Sequence, residues 1–166
     1  MKNIQALPVQ AQKIIERLGL EKTYEGIYLK RVYEKDSDCG VRPEATSVYG
    51  LAAQNAPSLL HRLDCDELWH YYDGHSLNLY LLDKGILNIY RLGPNVLQGE
   101  QPLVVIPKGV IFGAAVKNKE DWCLFGCTCI PGFAAANCEF IEKGHPQLKE
   151  YAGYEETINL LTGFAV

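Results

Sequence analysis

From Ala45 to Cys129 the chain repeats one pattern: a run of four to eight residues rich in aliphatic, β-branched or aromatic side chains, then a cluster of turn formers. The runs cover residues 45–52, 59–63, 67–72, 77–82, 86–92, 103–106, 111–116 and 122–129. Between them stand Asn55-Ala56-Pro57, Asp73-Gly74, Asp83-Lys84-Gly85, Gly93-Pro94-Asn95, Pro107-Lys108-Gly109 and the stretch 118–121. Gly and Asn tolerate the backbone angles of tight turns, and Pro pre-sets one of them. Short strands at such close spacing predict a β-sandwich or a closed barrel.

Helical signals are confined to the two ends. Between Pro8 and Gly19, Ile14, Ile15 and Leu18 recur at helical spacing, with Pro suited to the first turn and Gly to the C-terminal cap. The segment 24–33 then turns β-rich and opens the barrel. Near the other end, Leu148, Tyr151, Tyr154, Ile158 and Leu161 recur every three or four residues and predict a surface helix over 146–161. No internal repeat and no low-complexity tract interrupts this plan. The expectation is one domain, 1–166: a helix at about 8–19, a barrel at about 24–141, and a C-terminal helical segment.

Charge narrows the partners. With 16 Lys and Arg against 20 Asp and Glu, the formal net charge is -4. No basic run exceeds Lys30-Arg31, so neither a nucleic-acid footprint nor a polybasic membrane patch is expected. The first residues lack an apolar leader segment, and no apolar stretch approaches the ~20 residues of a membrane helix. The expected location is the cytoplasm. There Cys39, Cys65, Cys123, Cys127, Cys129 and Cys138 stay reduced, and their spacing contains no Cys-x-x-Cys zinc half-site. They are read as small apolar core residues, Cys127 and Cys129 on one strand face with Thr128 on the other.

The chemistry-bearing segment runs from His61 to His70. His61, Glu67 and Gly74 fall at the spacing of the first cupin motif, and Pro107-Lys108-Gly109 matches the core of the second. The set His61-Arg62, Asp66-Glu67, Trp69-His70, Tyr72 and Gly74 resembles the cupin-5 (DUF985) family more closely. Glu25-Gly26, Gly126-Cys127-Thr128, Pro131-Gly132-Phe133 and Glu139-Phe140 extend the likeness over nearly the whole chain. The resemblance implies a mainly β fold, the double-stranded β-helix or jelly-roll barrel, with short N- and C-terminal helices, and usually a homodimer. It does not imply a reaction.

The chain departs from metal-binding cupins at two ligand positions, where Leu63 and Phe112 replace histidines. His61 and Glu67 alone are too few protein donors for a first-row metal, so no cofactor is expected, with a weakly held divalent metal as the alternative. On a regular strand Glu67, Trp69 and Tyr71 share one face and Leu68, His70 and Tyr72 the other; only a bulge would bring His70 to Glu67. His61 and Glu67 are therefore the expected acid–base pair. Burial would raise the carboxyl pKa and an imidazolium would lower it, and the sequence leaves that contest open. Arg62, Trp69, His70, Tyr71, Tyr28 and Thr128 complete the expected ligand contacts, with core packing or ion pairing (Arg62 to Asp64 or Asp66) as the competing explanation. Gly26, Gly109 and Gly132 are expected at tight turns. The expected ligand is a small polar metabolite. Three functions fit: a metal-independent isomerase or epimerase on a sugar or nucleotide-linked sugar, a non-catalytic binding or sensing module, and a metal-dependent oxygenase.

Overall fold

The computed structural model describes residues 7–24, 26–38, 40–54 and 56–162. Its elements are α1 (Val9–Leu18), β1 (Glu21–Lys22), β2 (Tyr28–Lys35), β3 (Ala45–Ala53), β4 (Ser58–Leu63), β5 (Asp66–Gly74), β6 (Leu77–Asp83), β7 (Ile86–Leu92), β8 (Leu103–Ile106), β9 (Ile111–Val116), β10 (Trp122–Ile130), β11 (Cys138–Phe140) and α2 (Glu155–Thr162). Short 3₁₀ turns fill several of the connections. Two antiparallel sheets result, ordered β1-β2-β3-β10-β5-β8 and β11-β4-β9-β6-β7. Among the described residues only three consecutive pairs are neighbours, β1 with β2, β2 with β3, and β6 with β7 over Asp83–Ile86; the other connections cross between sheets or skip strands. The long-range pairings β3–β10 and β4–β9 complete the double-stranded β-helix.

Alternation decides what each strand buries. On the six-stranded sheet Ala52, Trp69, Val104, Ile106, Cys123, Phe125 and Cys127 point inward; on the five-stranded sheet Leu77, Leu79, Leu81, Phe112, Ala114 and Val116 meet them. The outer faces are covered differently. The apolar stripe of α1 lies with Leu51, Ala53 and Trp122 on the outside of the first sheet. Residues of α2 and of the turn Pro146–Tyr151 pack over Leu60, Ile111 and Ala115 on the outside of the second. Gly19 closes α1 with a left-handed φ of 65°.

Close approach explains one glycine inside a strand. A Cβ at Gly50 would sit 2.3 Å from the Phe125 ring and 2.9 Å from a Leu29 methyl. Gly50→Ala is expected to cost about 1–3 kcal/mol by overpacking, measured as a fall in the urea midpoint at unchanged slope; an unchanged midpoint would mean that the aromatic layer gives way freely.

Four local expectations need correction. Asp73-Gly74 is not a turn: Gly74 ends β5 with φ 91°, its Cα close against Trp122, and the reversal falls at His75-Ser76. The 24–33 strand begins only at Tyr28, because Gly26 N–H donates to the Thr23 carbonyl and Thr23 N–H to the Ile27 carbonyl, which folds the chain back ahead of the strand. The C-terminal segment is broken at Gly153, φ 100°, into a 3₁₀ turn and α2, since that backbone conformation cannot continue a right-handed helix. Gly132 is required for close packing rather than for φ: a Cβ there would lie 2.7 Å from the Pro43 side chain. No helix among the described residues is long and apolar enough to cross a membrane.

Candidate functional site

The inner faces of the two sheets enclose a cavity of about 390 Å³. The six-stranded sheet contributes two rows of side chains to it. Pairing of β2 with β3, β3 with β10, and β10 with β5 aligns Arg31, Val48, Cys127 and Trp69 in one row. The neighbouring row holds Thr46, Cys129 and Glu67. The second sheet faces them with His61 and Leu63 of β4 and with Cys138 and Phe140 of β11. Thr23, Tyr24, Phe133 and Ala135 come from connecting segments.

His61 is 3% exposed. Its ring lies 4.3 Å from that of Phe112, its partner across the β4–β9 pairing, and 6.0 Å from that of Phe140. Nδ1 lies 2.7 Å from the Leu59 carbonyl oxygen. A carbonyl only accepts, so Nδ1 carries the proton. In the neutral ring Nε2 is then the basic atom, and it has no hydrogen-bond partner among the described residues.

Glu67 enters from the opposite sheet and is 8% exposed. Trp69 Nε1–H donates to one carboxylate oxygen at 2.8 Å, and the Cys129 thiol donates to the other at 3.7 Å. The indole that holds Glu67 is itself stacked on Phe125, centroids 4.4 Å apart, and edge-on to Phe112. The aromatic core therefore helps to orient Glu67 through the indole N–H. Behind it, the Cys65 and Cys129 thiols are hydrogen-bonded to each other. The contact with Cys129 holds the Cys65 thiol below the usual range, with Arg42 assisting, while the contact with Cys65 and burial push the Cys129 thiol far up. Burial, with the Asp73 charge adding to it, pushes Cys123 up to about 12. Cys129 thus keeps its proton and remains a donor to Glu67.

The expected site residues divide cleanly. His61, Glu67 and Trp69 all line the cavity. The other five stand elsewhere. Arg62 pairs with Glu139 on β11 and donates to Gln147, not to Asp64 or Asp66; Asp64 belongs to Arg42, and Asp66 accepts from Lys108 N–H. His70 and Thr128 take the outer face of the first sheet, where Thr128 meets the Ser47 hydroxyl at 3.1 Å. A bulge does occur in β5, but at Tyr72, beyond His70, so His70 stays on the face opposite Glu67. Tyr71 points inward yet packs against the core away from the cavity, its hydroxyl donating to the Gly74 carbonyl. Tyr28 packs under α1.

Not foreseen from the sequence were Arg31, Thr46, Tyr24, Phe133 and Phe140 as lining residues. Alternation with Leu29 was the available signal for Arg31. Phe133 and Phe140 lie in the family motif, but nothing in their spacing says that they cross to this cavity.

The donor set does not fit a tightly held metal ion. Leu63 and Phe112 present carbon where the metal-binding pattern has imidazoles, and no three His, Cys, Asp or Glu side chains converge among the described residues.

Comparison with known proteins bears on the fold. A protein from Shewanella oneidensis shares 30% identity, over 92% of this chain and 96% of that one, with a TM-score of 0.85. A hypothetical protein from Leishmania major shares 27% over 93% and 98%, with a TM-score of 0.78. More distantly, the Streptomyces protein Pac13, a nucleoside dehydratase also crystallised with uridine, shares 14% over 74% and 84%, with a TM-score of 0.51. No curated protein is significantly similar to the chain. The family model for Cupin_5, cupin superfamily (DUF985), matches residues 12–141, and with the barrel topology this makes the chain a member of that family.

Proposed function

We propose that the cavity binds a small hydroxylated metabolite and that His61 and Glu67 act on it by metal-independent proton transfer, in an isomerase or epimerase type of reaction. The carrying observation is the placement of a tautomer-fixed imidazole and a fixed carboxylate on opposite walls of one mainly apolar cavity. In the proposed step His61 Nε2 takes a proton from a hydroxyl-bearing carbon next to a carbonyl, and the resulting imidazolium returns it to the former carbonyl carbon. Meanwhile Glu67 passes the hydroxyl proton to the former carbonyl oxygen, so that the carbonyl moves by one carbon. Glu67 accepts a hydrogen bond from a substrate hydroxyl and fixes its position. No net oxidation occurs and no co-reactant is consumed. Positioned acid–base groups of this kind contribute about 10²- to 10⁴-fold. The distant nucleoside dehydratase supports the reading as another small barrel that acts on a ring-bearing metabolite.

The test is a thermal-shift screen of sugars, nucleosides and their derivatives, followed by incubation of each hit in D₂O. Turnover with deuterium entering the product is expected, and His61→Gln should lower it about 10²-fold or more. Full turnover in His61→Gln would remove the mechanism. A hit that raises the melting temperature but returns unchanged and undeuterated would favour the other reading, a binding or sensing module. Stoichiometric iron or manganese in the purified protein would instead favour an oxygenase.

A further inference from the structure

The cavity is electrically two-ended. Among its described lining residues Arg31 is the one cation and Glu67 the one carboxylate. Arg31 and Trp69, whose indole holds Glu67, are the outer members of the row Arg31, Val48, Cys127, Trp69. Three strand spacings of about 4.8 Å separate their backbones by about 14 Å, which is the length of a small phosphorylated or carboxylated metabolite once the side chains reach inward. The middle of the row is apolar.

Arg31 is held there by an irregularity. Residues three apart on a regular strand point to opposite faces, so Arg31 and Glu34 should not meet. The β2–β3 register skips Val32, and this bulge returns Glu34 to the same face as Arg31, where the two form an ion pair. The guanidinium also lies 5.9 Å from the centre of the Phe133 ring and donates to the Phe133 carbonyl at 3.5 Å. Both members of the pair are 40% exposed. An exposed pair of this kind is worth little, roughly 0–1 kcal/mol, so a better anion can displace Glu34. A guanidinium prefers the two-point contact of a phosphate or carboxylate.

We infer that the ligand is an organic oxyanion, a phosphate monoester or a carboxylate, whose charged group takes Arg31 from Glu34 while its hydroxylated end lies between His61 and Glu67. This rests on the proton-transfer reading for the second end only. Arg31 then determines specificity, and Glu34 is its competitor in the free protein.

The test compares matched neutral and anionic probes by calorimetry: uridine with uridine 5′-monophosphate for phosphate, and glucose with glucuronate for carboxylate. In at least one pair the anion is expected to bind about tenfold tighter at low ionic strength, and the advantage should fade at high salt. Arg31→Gln should bring the two members of that pair to parity. Arg31→Lys should keep part of the advantage. Glu34→Gln should increase it about threefold, an effect that a purely structural ion pair would not produce. If the neutral probes bind and weaken on His61→Gln while the anionic group adds nothing, the inference falls and the proton-transfer site stands. If Arg31→Gln leaves the anion's advantage intact, the charge is read elsewhere and the inference also falls. If no probe of either pair binds at millimolar concentration, the inference falls, and the proton-transfer reading is decided by the deuterium screen alone.

Discussion

Truncating Trp69 to alanine is expected to destabilise the fold by about 3–5 kcal/mol, the range for large aromatic side chains cut from a packed core. The side chain is 2% exposed, stacked on Phe125 and edge-on to Phe112, so it joins the inner layers of both sheets. Its loss also strips Glu67 of the indole donor inside a mainly apolar cavity. Domains of ordinary stability have about 5–15 kcal/mol in total, so the variant should lie near the edge of folding at physiological temperature. Trp69→Phe separates the two roles. It keeps one aromatic ring against Phe125 and loses the N–H together with part of the indole, at a cost of about 1–3 kcal/mol. Circular dichroism with urea unfolding measures both. A Trp69→Ala midpoint equal to that of the parent would mean that the aromatic layer is not what joins the sheets.

The two roles of Trp69 also explain how much of the site was legible in the sequence. Strand periodicity alone placed Glu67 and Trp69 on one face and His70 on the other, because β5 is regular up to its bulge at Tyr72. The same rule put Cys127 and Cys129 on one face and Thr128 on the other, but it did not say which face meets the cavity, and Thr128, assigned to the ligand, lies on the outer one. What alternation cannot supply is the second sheet. His61 faces Glu67's wall because β4 pairs with β9 and β11 in a different sheet, a relation between residues far apart in sequence. Arg62, one residue from His61, was for that reason assigned to the ligand when its partner is Glu139 on β11. Tyr71 failed for a subtler reason: it has the right face but lies too far along the strand, against the core. Arg31 was missed because its meaning depends on the bulge at Val32, which brings Glu34 to it. Bulges and sheet closure, not propensities, are what the sequence pattern hides.

A second large effect is expected at the far end of the barrel from any proposed chemistry. Glu100 is 3% exposed and accepts hydrogen bonds from the Ser76 hydroxyl, the Asn95 backbone N–H and side-chain amide, and Arg91. Gly93 is part of the same design, since a Cβ there would lie 2.3 Å from a Glu100 oxygen. Burial opposes ionisation of this carboxyl, but the donors from Ser76 and Asn95 and the Arg91 charge outweigh it and hold it below its ordinary value of 4.5. Glu100→Ala leaves those donors and a guanidinium without their acceptor, and a broken buried pair of this kind costs about 3–5 kcal/mol. Glu100→Gln keeps the shape and should cost less. The sign of the pH dependence follows from the lowered value. The folded state binds the Glu100 proton more weakly than the unfolded chain, so its contribution is complete above the ordinary glutamate range and is lost as pH falls through the folded value. The stability difference between parent and Glu100→Gln should accordingly be constant near neutrality and shrink below pH 4.5. Urea midpoints collected across that range test it directly. A gap that stays constant into acid would show that the hydrogen bonds matter for their geometry and not for the charge they stabilise.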